Sequence, residues 1–394
     1  MLLLDNPVQP YPWGPVDGLV PLVGSEPTGD HEAELWVGTH PGAPSHVIGD
    51  PAGRTLAAII DADPERWLGE QLAAAGARAL PFLLKILAVG SPLSLQAHPS
   101  ALQAAAGFAR EEALGLALDD PTRTYRDPNP KPEALVALTE TWALCGFRAP
   151  DQAADLVAAL DRPELGPLVG YLRGADPLSE ALAWLLHLTG TERASVAAAV
   201  ACGAPGLDPA RSETWGPAWT GRLAADHPGD PAAIAPLLLE VVRLAPGDAV
   251  HLPAGNLHAY LTGAGVEIMA ASDNVLRGGL TTKHVDIDEL LHVVRFEPGT
   301  PPGPVRTTAG RTTRYEMGER AFALADIAPG EEPEPWQAEG PALLLATGGP
   351  VDVAGVEHGV TIDHGGAAFL AAGEGPVAVS GPGHLWCATA GCGS

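Results

Sequence analysis

The sequence predicts a mainly β protein carrying an inserted α-helical block, its β part divided between two related jelly-roll or β-barrel units. Three observations predict this. Between 149 and 200, leucines recur at the three- and four-residue spacing of a helix face: Leu156/Leu160, Leu165/Leu168/Leu172 and Leu178/Leu182/Leu185/Leu186. On both sides of that block, short apolar runs are punctuated by Gly and Pro, the pattern of strands and tight turns. Finally, GDAVHLPAG at 247–255 and GGAAFLAAG at 365–373 share their glycine spacing, a small third residue, and Leu followed two residues later by Ala-Gly. In this register His258 falls opposite Pro376, so only the first unit is expected to bind a metal through that strand.

Taken in chain order, residues 1–50 are turn-rich, with Trp13-Gly14 and the run ELWVGTHPGAPS at 34–45 as strand and loop material. A helix is expected near Thr55, and Asp63-Pro64 has the form of an N-cap followed by proline at the first helical position. PFLLKILAV and PLSLQAH read as two strands around the Gly90-Ser91-Pro92 turn. Asp176-Pro177 marks another helix start, and from about Leu237 the chain returns to short strands. At 394 residues the chain exceeds a single compact core. The expected division is a metal-binding β unit at 1–148 and 231–300, a helical insertion at 149–230, and a metal-free β unit at 301–394.

Composition narrows the function. The net charge of −26 argues against nucleic acid or an anionic membrane as partner, so a small molecule is expected. There is no apolar run long enough to cross a bilayer, and the start MLLLDNPVQPYPWG lacks the basic segment of a secretory leader. Cys145, Cys202, Cys387 and Cys392 form no CxxC pair, which suits a reducing cytoplasm and assigns them no metal or redox role. The chain has 19 arginines against three lysines, Lys85, Lys131 and Lys283, and all three lie in the segments singled out below. Lysine is a compact charge with an adjustable pKa, so its survival against an arginine bias is informative.

In PLSLQAHPS the strand period points Ser94, Gln96 and His98 to one face and Leu95 and Ala97 to the other. Polar groups turned inward need partners, and a shared metal satisfies two of them. KPE at 131–133 adds Glu133 beside Lys131, and NLHAYL adds His258 with Tyr260 on the same face. Two imidazoles, one amide oxygen and one carboxylate form a four-ligand set for Zn²⁺. With a single anionic ligand the site keeps a formal positive charge and its Lewis acidity. Mn²⁺ or Co²⁺ are alternatives, because Gln is an unusual zinc ligand.

LPFLLKIL with PLSLQAHP, NPKPEALVAL with ALCGFR, and PGDAVHLPAGNLHAYL continuing to SDNVLRGGLTTKHVD together resemble the signature segments of type I mannose-6-phosphate isomerases. YPWG and AELWVGTHPGAPS are similar to the same family, and the matching segments cover roughly 11–45, 80–100, 125–148 and 228–291. The resemblance implies one zinc held by Gln96, His98, Glu133 and His258, an essential Arg277, a cupin-type catalytic domain, a helical insertion and a second cupin-like β domain. It implies interconversion of mannose 6-phosphate and fructose 6-phosphate through a cis-enediolate, by a cytoplasmic, monomeric enzyme. The family commonly carries a histidine before the lysine of the KPE motif, where this chain has Pro130. Any proton transfer relying on that histidine is therefore in doubt here.

For this reaction, zinc and Arg277 are expected to stabilise enediolate charge. Glu267 is the favoured proton carrier, with Asp273, Lys131 or a zinc-bound water as rivals. Lys85, Ser94 and Lys283 are the phosphate candidates, with Lys131 nearby. Trp13 is expected to wall the sugar, while Tyr260 and Glu34 are assigned to its hydroxyls by resemblance. An isomerase of a related sugar and a metal-bearing sugar-binding protein without catalysis are the alternative readings.

Overall fold

A computed structural model describes residues 1–203, 215–356 and 358–391. Cys392 lies outside the described residues. The organising element is the 13-residue strand His258–Ala270. Its first part pairs with Gln96–Ala97 and Thr141–Phe147, and its second part with Phe82–Val89 and Glu133–Ala137. One strand thus serves both walls of this β unit. The handover falls at a register shift between Tyr260 and Thr262, followed by Gly263 at φ +114, where an added Cβ would stand 2.5 Å from Thr141 Oγ1. Only glycine lets the strand turn there.

The main wall runs Ala249–Leu252, Glu133–Ala137, His258–Ala270, Phe82–Val89, Glu34–Gly38, Val8–Gln9, all antiparallel. Phe82–Val89 is buried on both faces, which explains its near-continuous apolar sequence. Leu84 and Ile86 face the core shared with the C-terminal unit, whereas Leu87 and Val89 enter the interior of the catalytic unit. Lys85 points to that interior face. The strand foreseen in PLSLQAH is only Gln96–Ala97, and it pairs with His258 and with Leu276–Arg277 rather than with its predecessor.

The expected helix starts are present. Thr55 caps Leu56–Ala62 and Asp63 caps Pro64–Leu68 through their side chains, while Asp176 precedes Pro177–His187 without a side-chain hydrogen bond. Helices Pro150–Ala158, Gly166–Leu172, Pro177–His187, Gly190–Gly203 and Trp215–Asp226 form the insertion. Their buried leucines (Leu160, Leu168, Leu172, Leu178, Leu182, Leu185) share one core with Leu95 and Ala97. Each such side chain contributes about 1.5–3 kcal/mol on burial. The apolar face of the Ser94–His98 segment is therefore clamped against the helices while its polar face looks into the catalytic unit.

The C-terminal unit has an eight-stranded sheet and a four-stranded sheet. Strand Leu2–Asp5 from the chain start lies in the larger one, against Ala367–Leu370, with His46–Val47 outside it. Nothing in the sequence announces that pairing. The repeat is visible in structure: Ala249–Leu252 and Ala367–Leu370 are strands at the same repeat positions. Both are bounded by glycines of positive φ, Gly247 and Gly255 in one, Gly365 and Gly373 in the other. Pro376 stands just ahead of strand Val377–Ser380, as His258 opens its own strand.

Candidate metal centre and the cavity around it

His98, Glu133 and His258 are buried, with one ligand atom from each lying within 4.8 Å of the others. His98 Nε2 is 3.3 Å from Glu133 Oε1, and His258 Nε2 is 3.6 Å from Glu133 Oε2. Both imidazoles are anchored through the other nitrogen: His98 Nδ1 donates to the Asn274 carbonyl at 2.9 Å, His258 Nδ1 to the Asn256 carbonyl at 3.0 Å. This leaves the two Nε2 atoms buried without a hydrogen-bond partner. Buried polar atoms are rarely left so, and backbone-tethered Nδ1–H groups are the usual outer support of a metal-bound histidine. Burial, foremost, with Lys131 adding to it, brings His98 down to about 4, so it is neutral as a ligand must be.

Gln96 stands beside the triad by register. It is the direct cross-strand neighbour of His258 on one side and of Arg277 on the other, so all three side chains leave the same face in a row. The donor set, two imidazole nitrogens, one carboxylate and one amide oxygen, fits Zn²⁺. Glu133 also accepts from Lys131 Nζ at 2.9 Å. Burial raises its pKa, but Lys131 foremost, with His98 and His258 beside it, outweighs burial and holds the carboxyl well below the usual range.

The triad borders a cavity of about 590 Å³. Gln96, Glu133, Lys131 and Tyr260 line it near the triad; Trp13, Glu34, Lys85 and Glu267 form one wall; Ser94, Asp273, Arg277 and Lys283 complete it. Every site residue expected from sequence is thus in the triad or in this cavity. Lys85 is not a free cation there: its Nζ lies 3.1 Å from Glu34 and 3.3 Å from Glu267, over the Trp36 ring. Burial would lower its pKa, but Glu34, Glu267 and Glu133 outweigh that and raise it. Burial foremost, then Glu133 and Glu34, lifts the Glu267 carboxyl to about 7 against the pull of Lys85 and Lys131. The buried Tyr260 hydroxyl points near Glu267 but makes no hydrogen bond of proper geometry, and burial raises its pKa well above the normal value. It remains a proton donor in search of an acceptor.

Arg277 and Lys283 differ from the other charged groups. Burial lowers the pKa of both; Arg126 lowers it further, and Arg277 itself depresses Lys283. Among the described residues neither has a carboxylate partner, in a protein of net charge −26. Arg126, His40, Trp36 and His227 were not singled out from sequence. His40 Nε2 donates to Asp273 Oδ1 at 3.2 Å, while its Nδ1 accepts from Gly42 N–H. The THPG run alone gave no signal for this pair, because Asp273 arrives from the far end of the chain. His227, just after helix Trp215–Asp226, also lines the cavity.

Residues 1–150 match the model of the type I phosphomannose isomerase catalytic domain. The chain is 38% identical to mannose-6-phosphate isomerase of Escherichia coli (strain K12), with 98% of each chain covered. It is 31% identical to mannose-6-phosphate isomerase 1 of Arabidopsis thaliana over 87% of this chain and 82% of that one. Among solved structures, a zinc-bound holo mannose 6-phosphate isomerase superposes with a TM-score of 0.89 at 33% identity, covering 99% of both chains. A mutant of phosphomannose isomerase from Salmonella typhimurium superposes at 0.90, also at 33% identity, over the whole of both chains. On likeness of this extent, the chain belongs to the type I mannose-6-phosphate isomerase family.

Proposed function

We propose that this chain interconverts mannose 6-phosphate and fructose 6-phosphate, with Glu267 carrying the proton between C2 and C1. The observation that carries the reading is the placement of Glu267: a buried carboxyl near neutrality, in one cavity with a metal-ready triad and two unpaired cations. A general base is most effective when its pKa lies near the working pH.

Gln96, His98, Glu133 and His258 would hold zinc, which when bound supplies Lewis-acid stabilisation of charge on the sugar oxygens. Glu267 removes the C2 proton of the open-chain aldose, leaving a cis-enediolate; the hydroxyl proton passes from O2 to O1, and Glu267 returns the carbon-bound proton to C1 to give the ketose. Lys131 is assigned to the O1 and O2 side, beside Glu133. Arg277, next to Gln96 in the strand row, supplies a second fixed positive charge for the enediolate. Tyr260 donates its free hydroxyl to a sugar oxygen, Trp13 walls the ring, and Asp273, braced by His40, accepts from sugar hydroxyls.

For the phosphate we assign Lys283 and Ser94, with Arg126 adding positive potential near the same end. Lys85 moves out of the phosphate group of candidates: a dianion beside it would face Glu34 and Glu267 at close range. Its place is with Glu267, whose pKa it lowers, and Glu34 is its counter-charge rather than a sugar ligand. No helix among the described residues is long and apolar enough to cross a membrane, and the charge of −26 supports a small-molecule partner. We extend this to a monomeric, cytoplasmic enzyme with the three-part division given above, the first strand being shared with the C-terminal unit.

The test is conversion of mannose 6-phosphate to fructose 6-phosphate before and after chelation and zinc add-back. Activity lost with chelator and regained with zinc supports reaction and cofactor together. No turnover by fully zinc-loaded protein overturns the reading.

A further inference from the structure

We infer that Asp230, in the segment that returns from the helical insertion, is a positioning residue for phosphate binding, because it holds the turn that carries Lys283 and follows Arg277. The inference rests on the assignment of the phosphate to the Lys283 end of the cavity.

The turn is strained. After Arg277 the chain runs through Gly278 and Gly279, the latter at φ +118, and then Leu280 at φ +54. A left-handed leucine is uncommon and unfavourable, so surrounding contacts must impose it. Two sets of contacts do. On the catalytic side, Gly278 N–H donates to the Leu95 carbonyl at 2.8 Å and Leu95 N–H to the Gly279 carbonyl at 3.2 Å. On the insertion side, the Leu280 N–H donates to Asp230 Oδ2 at 2.8 Å.

Asp230 is itself fixed. Its Oδ1 accepts from Ala232 N–H at 3.1 Å and from the Arg193 guanidinium at 2.9 Å, and Arg193 belongs to helix Gly190–Gly203. The backbone fit is close: a side chain at Gly279 would collide with the Ala232 methyl. With the Leu280 side chain also buried in the helical core, the turn is gripped by the insertion at three points. Three residues later stands Lys283, a cation with a pKa depressed by burial, Arg277 and Arg126. Lys283 is exposed at the cavity and has no carboxylate partner among the described residues, so the backbone of the turn is what sets where it stands. The insertion's role in catalysis is then to set the direction of Lys283.

The measurement is steady-state kinetics on zinc-loaded protein, with inhibition by inorganic phosphate, zinc content and Tm. Asp230→Ala is expected to raise KM for mannose 6-phosphate about tenfold and weaken phosphate inhibition in parallel, with kcat within about twofold. Asp230→Asn, which keeps one acceptor for the Leu280 N–H, should recover most of the loss. Arg193→Ala breaks the ion pair within the insertion but leaves the turn contact, and should lower Tm more than it alters KM. If Asp230→Ala lowers kcat and Tm together and Asp230→Asn does not restore KM, Asp230 is only structural and the inference is overturned. Lys283→Gln separates the premises. An unchanged KM in that variant overturns the phosphate assignment, whereas a raised KM there with an unaltered Asp230→Ala overturns the positioning role alone.

Discussion

Lys85 and Glu267 stand directly opposite each other on neighbouring antiparallel strands, with Nζ 3.3 Å from Oε2. Glu34, opposite Leu87 on the next strand, reaches the same ammonium at 3.1 Å. One lysine thus serves two carboxylates in a site that water does not screen, so removing any member shifts the others.

The sign of each shift can be worked out for the acid limb of kcat/KM, taken as the ionisation of Glu267 near its pKa of about 7. Lys85→Met removes a cation that lowers this pKa and leaves burial, Glu133 and Glu34 all raising it. The carboxylate is then depleted at neutral pH. The acid limb should move to higher pH by about one unit, with about a fivefold loss of activity at pH 7. Glu34→Gln removes a charge that raises the pKa, and its limb should move the other way. A pH–rate profile of both variants decides; limbs that stay in place would assign the ionisation to another group.

Charge count at the metal can be tested at Gln96. Gln96→Glu keeps an oxygen donor in the row His258–Gln96–Arg277 but gives the site a second carboxylate beside Glu133. Zinc stoichiometry should stay at one per chain, and resistance to chelator should rise. The bound ion then loses its excess positive charge, so kcat should fall about tenfold or more. Loss of zinc from this variant would show that Gln96 is not a ligand position. Undiminished kcat in zinc-loaded protein would show that the neutral amide has no electrostatic role.

What could be read from sequence was what local periodicity determines. Ser94, Gln96 and His98 alternate with Leu95 and Ala97, and a strand must send the two sets to opposite sides. That the apolar set would meet helices rather than another sheet was not written there. Asp273 and Lys283 were found because they adjoin a long motif. His40, Arg126, His227 and Asp230 were missed because each acquires its meaning from a residue 50 or more positions away, as Asp230 does from Leu280. The entry of Leu2–Asp5 into the C-terminal sheet escaped for the same reason: a strand of LLLD has no preference between two apolar sheets. Lys85 was recognised as exceptional, but the two carboxylates that engage it belong to strands on either side, which a one-dimensional reading does not place.

Pro130 stands where the family commonly has a histidine, so restoring that residue is informative. The 127–129 segment is already fixed: Asn274 donates to the Asp127 and Asn129 carbonyls, and Ser272 donates to Asp127 and Asn129. Proline at 130 costs this loop no donor that it uses. With Glu267 as the base, Pro130→His should change kcat/KM by less than about threefold. A gain of tenfold or more on kinetic assay would mean that the chain lacks a proton carrier and that the scheme above is incomplete.

The two β units should unfold as one. Phe369 is fully buried in the core that holds Leu84, Ile86 and Val266 of the catalytic sheet together with Leu343 and Leu345 of the C-terminal sheet. It lies opposite Leu343 on one side and Leu2 on the other, with its ring 6.2 Å from that of Trp67. Phe369→Ala removes a ring from a core with no free side to collapse into, and should cost about 3–5 kcal/mol. Because the cavity opens on the opposite face of the catalytic sheet, zinc content and KM should be unchanged at low urea. Urea titration followed by tryptophan fluorescence and by zinc release should give one coincident transition, shifted to lower urea in the variant. If fluorescence changed first while zinc and activity persisted, the C-terminal unit would be an independent domain, and the shared core would contribute little to holding the catalytic sheet in place.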